Sequence, residues 1–424
     1  MKAAIHTLGC KVNIYESEYI INILKENGYQ IVDFDSKADI YIINTCTVTN
    51  TSDKKSEKMI KRARKQNKDA IIIAMGCHAQ IKGDNIDADI IIGNKDKSKI
   101  ISLIEEYQEN KNKIKRIYNL DNVSFEDMYI SSFNSHTRAF VKIQDGCDAF
   151  CSYCIIPYAR GRVRSKPLED LKAELAGLGA NGYKEVVLTG INLSAYGQEF
   201  GLHLCDAIEA ACATPGIERV RLGSLEPEQL SEDVIRRMAK QKKLCPQFHL
   251  SLQSGCDATL KRMNRHYTAD EYRTIVRNLR AAFENAAITT DIMVGFAGET
   301  DEEFAESLAF AEEIAFAKVH VFAYSRRPGT RAYDMGDQLT NAVKEARSHE
   351  MIRVTTATQQ AFFKAQIGRT EEVLFEREIQ KGVWEGYSMN YTPVAVSSGT
   401  SLAGEICSAR IESCTDTHCM GVVL

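Results

Sequence analysis

The sequence predicts an α/β protein in three parts: an amino-terminal doubly wound parallel sheet, a partial (β/α)6 barrel, and a small all-β carboxyl-terminal domain. Three observations predict it. Isoleucine-rich apolar runs alternate with helical patterns over residues 1–95, and six further strand–helix units begin at Arg138. Residues 368–424 then change to short β-rich runs separated by glycine and polar residues. At 424 residues the chain exceeds one ordinary core, and it divides as 1–112, a linker 113–134, 135–366 and 367–424.

In the first part the strands are Lys2–Leu8, Asp39–Asn44 and Ala70–Met75, with helical patterns over 15–27 and 53–67. The polar stretch 107–135, containing YQENKNKIKR, reads as the end of this domain and a linker. In the second part strands are expected at 138–144, 184–189, 217–223, 247–252, 287–295 and 317–323. Helices fall between them at 168–178, 268–283 and 301–314, and a last helix spans 340–365. A full eight-unit barrel needs more chain, so the barrel is expected to be open and partial. In the tail EVLFERE, TPVAVSS and GEICSARIES are strand patterns of a small barrel or sandwich.

Hydrophobic residues make up 44% and charged residues 26%, with a net charge of −4. No apolar run reaches bilayer length, and residues 1–10 lack a secretory layout, so the expectation is a cytoplasmic protein with no membrane partner. Positive charge is local: eight basic residues against one acid lie between Lys54 and Lys68, with shorter runs at Arg160–Lys166, Lys261–Arg265 and Arg326–Arg331. Such fields attract phosphates, although a solvated face is the plainer account of any one run. The tail holds eight acids against four basic residues, an acidic balance for an RNA-binding module.

Thirteen cysteines without a secretory signal point to metal or catalytic use rather than a disulfide framework. Cys147, Cys151 and Cys154 form C-x3-C-x2-C directly after the first barrel strand, with Gly146 before the set and Tyr153 inside it. Three thiolates on one loop can hold three irons of a 4Fe–4S cubane and leave the fourth open. S-adenosylmethionine (SAM) can chelate such an iron and be cleaved by an electron from the cluster. A closed zinc site is the alternative, but it takes four protein ligands and no fourth is spaced nearby. Cys10, Cys46 and Cys77 are distant in sequence, yet each follows a predicted strand. In a parallel sheet all strand carboxyl ends share one edge, so these thiols converge on a second three-thiolate cluster or are simply three small buried cysteines.

The cysteine loop, together with TLGCKVNIYESE, INTCTVTN, GCHAQ, HLSLQSGCDATLKRMNRHYT, TDIMVGFAGETDEEF and YSRRPGTRA, resembles the radical-SAM methylthiotransferase family over essentially the whole chain. The resemblance implies an amino-terminal cluster domain, a radical-SAM partial barrel and a TRAM domain. It also implies that Cys10, Cys46 and Cys77 hold an auxiliary 4Fe–4S cluster that presents sulfur. Cys147, Cys151 and Cys154 would then hold the 4Fe–4S cluster that cleaves SAM. GCKVN and NTCTVT are similar to the MtaB branch, which acts on N6-threonylcarbamoyladenosine beside the anticodon of tRNA. The isopentenyladenosine branch tends toward GCQMN, and the ribosomal-protein branch toward GCPKN. Lys11 and Val12 therefore carry much of the substrate reading. Where the family commonly has proline, this chain has Ala297.

The implied reaction uses SAM twice, once to methylate a cluster-bound sulfur and once to make the 5′-deoxyadenosyl radical that removes the hydrogen from C2 of the adenine ring, after which the carbon radical takes the methylthio group. No side-chain acid or base activates such a C–H bond, and none is assigned. Strand ends nominate a SAM pocket: Thr189, Gly190 and Asn192, then Glu226, Gln253 and Ser254, then Asp291 and Gly295, with Arg265 pairing with the SAM carboxylate or a tRNA phosphate. The basic segment 54–68 is a candidate tRNA surface. Trp384 and Tyr391 are candidates for base stacking or for core packing. Cys205, Cys212, Cys245, Cys256, Cys407, Cys414 and Cys419 read as structural. Partners implied are tRNA, an electron donor such as a flavodoxin or ferredoxin, and a sulfur donor. The alternatives are methylthiolation of a ribosomal-protein aspartate or of isopentenyladenosine, and, from another class, an iron–sulfur electron carrier or a non-catalytic RNA-binding protein.

Overall fold

A computed structural model describes residues 1–133 and 137–424, so the expected boundary at 134/135 lies outside the described residues. The first domain is a six-stranded parallel sheet built from β1 (Lys2–Thr7), β2 (Gln30–Val32), β3 (Ile40–Thr45), β4 (Ile71–Gly76), β5 (Ile90–Ile92) and β6 (Ile114–Arg116). Their order is β2-β1-β3-β4-β5-β6. The isoleucines explain the central strands, which are covered on both faces. Ile40 and Ile42 join one core with Ile20 and Leu24 of helix α1 (Lys11–Glu26). Tyr41 and Ile43 join another with Met59 and Ile60 of α2 (Asn50–Gln66).

Two more helices complete the domain, α3 (Cys77–Lys82) and α4 (Ile100–Asn110). The polar stretch read as linker contains the end of α4 and all of β6, which pairs with β5. A three-residue edge strand needs only one inward residue, here Ile114, and so leaves no periodicity to read.

The second domain begins at β7 (Ala139–Lys142), followed by the short antiparallel pair β8 (Gln144–Asp145) and β9 (Arg164–Ser165), with α5 (Ile156–Arg160) between them. Its parallel wall runs β7, β10 (Glu185–Thr189), β11 (Arg219–Leu222) with β12 (Ser224–Leu225), β13 (Gln247–Leu250), β14 (Ala287–Val294) and β15 (Lys318–Ala323). β11 falls within the strand expected at 217–223, β12 continues beyond it after Gly223, and a Val220–Leu244 bridge joins the two halves of the wall. No pairing joins β7 to β15 among the described residues, so the barrel is open. Helices α6 (Leu168–Ala180), α7 (Leu204–Ala213), α8 (Glu232–Ala239), α9 (Asp257–Arg262), α10 (Ala269–Ala282) and α11 (Asp301–Ile314) follow the strands in turn.

Helix α12 (Asn341–Lys364) ends the barrel and sends Phe363 into the core of the third domain. That domain is a closed barrel of β16 (Thr370–Gln380), β17 (Val383–Ser388), β18 (Pro393–Ser397), β19 (Ile406–Cys414) and β20 (Cys419–Val423), ordered β16-β17-β18-β20-β19. Cys414 and Cys419 face each other across β19 and β20 as a local disulfide. The barrel is clamped to the second domain: Arg138 pairs with Glu376 at 2.6 Å, and Arg219 donates to the Tyr387 carbonyl at 3.1 Å.

Candidate active site

Thr7 lies opposite Asn44, and Thr45 opposite Gly76, so β1, β3 and β4 end level. Cys10, Cys46 and Cys77 come to that one edge. Two glycines permit it. Gly9 has φ +103°, and a Cβ there would stand 3.2 Å from the Cys46 sulfur. Gly76 has φ +97°, where a Cβ would meet the Thr45 carbonyl at 2.8 Å. Asn13 fastens the edge by donating to the carbonyls of Leu8 at 2.6 Å and Thr45 at 3.1 Å. Cys46 is buried and Cys10 exposed, and desolvation by the protein packed around them pushes both thiols up.

The second set follows β8. The Cys147 amide donates to the Gly161 carbonyl at 3.0 Å, and Cys154 turns back to Cys151 at 2.9 Å. Gly146, with φ +73°, is obligatory, because a Cβ would stand 1.8 Å from the Arg162 carbonyl oxygen. Arg265 donates to the Cys151 sulfur at 3.2 Å, and the Asn192 amide lies 3.9 Å from that of Cys147. The buried Asn192 Oδ1 has no hydrogen-bond partner among the described residues. Burial pushes the Cys147 thiol up to about 11 and that of Cys154 higher still. Such thiols stay protonated at neutral pH unless a metal displaces the proton.

Between the sets lies a buried ionic network that the sequence did not disclose. Arg160, six residues after Cys154, crosses to the first domain. Its Nε donates to the Cys77 sulfur at 3.2 Å, and its Nη2 to Asn13 Oδ1 at 2.6 Å. Its Nη1 reaches Glu16 and Asp145, each at 3.1 Å. Glu16 also receives Lys97 and Lys142, and Asp145 receives Lys142 at 2.7 Å and Arg164 at 3.0 Å. Although burial opposes ionisation, Arg160, Lys97 and Lys142 hold the Glu16 carboxyl well below the usual range. Four cations face two carboxylates here. That positive surplus beside Cys77 suits an anionic group held by thiolates, and the orphaned Asn192 oxygen beside Cys147 leaves a polar contact to be made. Both donor sets therefore fit metal clusters.

A cavity of about 1040 Å³ opens between the domains. Cys10 and Lys11 form one wall, Thr189, Gly190 and Asp291 the barrel wall, and Tyr391 the third domain's contribution. Of the nominated SAM-pocket residues, Thr189, Gly190 and Asp291 thus face the cavity, and Asn192 sits beside Cys147. Arg265 is ion-paired with Glu226 and donates to the Ser251 carbonyl at 3.0 Å, a partner not anticipated for it. Gln253, with φ +69°, carries the wall past β13 through backbone bonds to Asp291 and Met293. Ser254 and Gly295 do not line the cavity. Ser254 is fully buried and accepts from the Cys256 amide at 3.3 Å, while Gly295 packs against Lys344 and donates to Glu299 at 2.7 Å.

Several cavity groups escaped the sequence. His249 lies 3.4 Å from Asp291, and His320 stands close by on β15. Tyr391 stacks on Tyr387 at 4.5 Å, under the guanidinium of Arg138, whereas Trp384 packs toward the core of its barrel. Lys11 is exposed at the cavity wall, and desolvation by the surrounding protein with the charges of Arg138 and Arg221 lowers its pKa to about 8. Outside, Lys54, Lys58, Lys61, Arg62 and Lys65 line one shallow groove along α2. Asp53 of that helix turns inward instead, to His78 at 2.9 Å and Arg327 at 2.9 Å.

An open parallel α/β barrel with a three-cysteine loop after its first strand defines a radical-SAM protein. Residues 141–311 match the Radical SAM superfamily, and residues 2–94 the uncharacterized protein family UPF0004. The threonylcarbamoyladenosine tRNA methylthiotransferase MtaB of Bacillus subtilis is 38% identical over 96% of this chain and 93% of its own. That of Thermotoga maritima is 38% identical over 97% and 94%. The tRNA-2-methylthio-N(6)-dimethylallyladenosine synthase of Clostridium botulinum is 36% identical over 88% and 85%. In fold, the chain is similar to the radical S-adenosylmethionine methyltransferase TsrM of Kitasatospora setae, with a TM-score of 0.58 and 13% identity, covering 78% of this chain and 76% of that one. The chain belongs to the radical-SAM methylthiotransferase family. SAM and 4Fe–4S clusters are the cofactors this membership carries. No helix among the described residues is long and apolar enough to cross a membrane.

Proposed function

We propose that the protein is a cytoplasmic sulfur-group transferase that converts N6-threonylcarbamoyladenosine, next to the anticodon of tRNA, to its 2-methylthio derivative. The observation that carries the reading is a pair of cysteine triads on two adjoining domains, with Arg160, six residues after Cys154, donating to Cys77 of the other triad and Cys10 lining the cavity. When bound, a 4Fe–4S cluster on Cys147, Cys151 and Cys154 supplies the electron that cleaves SAM, and one on Cys10, Cys46 and Cys77 supplies the sulfur, SAM being used in two steps.

The chain's own residues do the rest. Arg160 and its neighbours compensate the charge of the thiolates and fix the spacing of the two edges. Asn192 and Arg265 orient Cys147 and Cys151, and Thr189, Gly190 and Asp291 shape the wall that a nucleoside meets. The cavity volume is at the top of the range of small-molecule sites, enough for a modified nucleoside beside a cofactor. The basic groove of α2 meets the tRNA backbone. A flavodoxin or ferredoxin as electron source and a separate sulfur donor complete the cycle.

The test is anaerobic incubation of reconstituted enzyme with dithionite, SAM and threonylcarbamoyl-modified tRNA, followed by mass analysis of nucleosides. The expected product is the 2-methylthio nucleoside together with 5′-deoxyadenosine, and unmodified nucleosides would defeat the reading. Iron should be about eight per chain and fall to about four in the Cys10→Ala, Cys46→Ala, Cys77→Ala variant, one cubane per triad.

A further inference from the structure

We propose that Lys11 forms the subsite that binds the carboxylate of the substrate's N6 substituent, and so sets preference for an acidic over an apolar modification. This rests on the threonylcarbamoyladenosine reading above.

Lys11 lines the cavity as the residue next to Cys10, and its side chain makes no hydrogen bond or ion pair among the described residues. The other charges of the cavity are mostly spent. Arg221 is held by Glu185 at 2.8 Å, Arg377 by Glu385 at 2.8 Å, and Asp291 faces His249 at 3.4 Å. Lys318 is the second cation on the wall without a side-chain partner among the described residues. The cavity thus offers uncompensated positive charge to whatever enters it.

Lys11 is also badly placed for its own helix. It is the first residue of the 16-residue α1, where the macrodipole disfavours a cation and the backbone N–H groups want an acceptor; Cys10, the N-cap, provides no side-chain hydrogen bond. A carboxylate docked there relieves both. An isopentenyl group would leave the ammonium unpaired, so the residue discriminates by repulsion as well as attraction. Adjacent Cα atoms are 3.8 Å apart, so an extended lysine places its charge within roughly 10 Å of the Cys10 sulfur. That is the span from a reacting ring carbon to the end of a substituent on the same ring.

The experiment uses reconstituted holoenzyme and fluorescent anticodon stem-loops carrying threonylcarbamoyladenosine or its threonine methyl ester, with affinity read by anisotropy. Wild type should bind the acid about tenfold or more tightly than the ester. Lys11→Met should shrink that ratio to within about twofold, and Lys11→Arg should keep most of it. Equal iron content in all proteins shows that the variants are loaded. A wild-type ratio near one, a ratio that survives Lys11→Met, or one abolished by Lys318→Met but not by Lys11→Met would overturn the proposal. Product formation is scored separately. A wild type that prefers the acid yet makes no methylthio nucleoside fails the functional reading and leaves the subsite standing.

Discussion

Glu16 is where the two domains are most exposed to a single change. Its Oε1 receives Lys142 at 3.0 Å and Arg160 at 3.1 Å, and Lys97 has Glu16 as its one carboxylate partner, with Asn94 Oδ1 at 2.9 Å. Glu16→Gln keeps the shape and opens no cavity, but it leaves four buried cations facing Asp145 alone. Removing one member of a buried pair costs about 3–5 kcal/mol. In a cooperative unit of 150–250 residues each kcal/mol moves Tm by about 2–4 °C, so a fall of at least about 6 °C is expected in metal-free protein by thermal denaturation. The acid dependence gives an internal control. Because the folded carboxyl lies below its ordinary value of 4.5, its stabilisation is complete above that pH and is lost as the pH falls toward the lower value. Wild type should therefore lose more stability between pH 5 and pH 3 than Glu16→Gln. A Tm within 2 °C of wild type at neutral pH, or parallel acid curves, would refute the electrostatic account.

Other expectations are simpler. Gly146→Ala forces a Cβ into the Arg162 carbonyl and should strip iron from the Cys147 set, leaving about half the metal by iron assay while the far-ultraviolet circular dichroism is kept. Lys58→Ala with Lys61→Ala, both exposed on α2, should weaken tRNA binding and lower its dependence on log salt by roughly 2 in slope, measured by filter binding. Arg327→Met removes the tie from the second domain to Thr47 and Asp53, 2.9 Å away in the latter case. It should raise protease sensitivity near α2 in limited digestion without changing iron content.

What sequence could reveal follows from how each feature is encoded. β3 and β4 announce themselves because both faces are buried and, apart from Asn44 and Thr45 at the end of β3, every residue is apolar or glycine. β2, β5 and β6 are three residues long and carry no period. The convergence of Cys10, Cys46 and Cys77 was legible from topology alone, since a parallel sheet brings strand ends together whatever their separation. Of the residues nominated from strand ends, Thr189, Gly190 and Asp291 line the cavity, whereas Ser254 and Gly295 do not. Position along a strand does not say which way the following turn points. The Arg160–Glu16 pair spans 144 residues and two domains, and no local pattern encodes it. Lys11 is marked in the sequence only by resemblance, whereas the lack of a partner for its ammonium among the described residues is a property of the tertiary structure.

The wall of that cavity runs from Gly9 through the barrel strands to His418, almost the whole length of the chain. On the proposed reading, a base that reacts in a room assembled from all three domains enters it singly rather than as part of a stacked duplex. The nucleotide must swing out of its neighbours before it can react. An anticodon loop, whose bases are already partly splayed, gives up that stacking at small cost, whereas a helical stem does not. Choice of target within the tRNA thus begins with which base can leave its stack, before any chemical group on it is recognised.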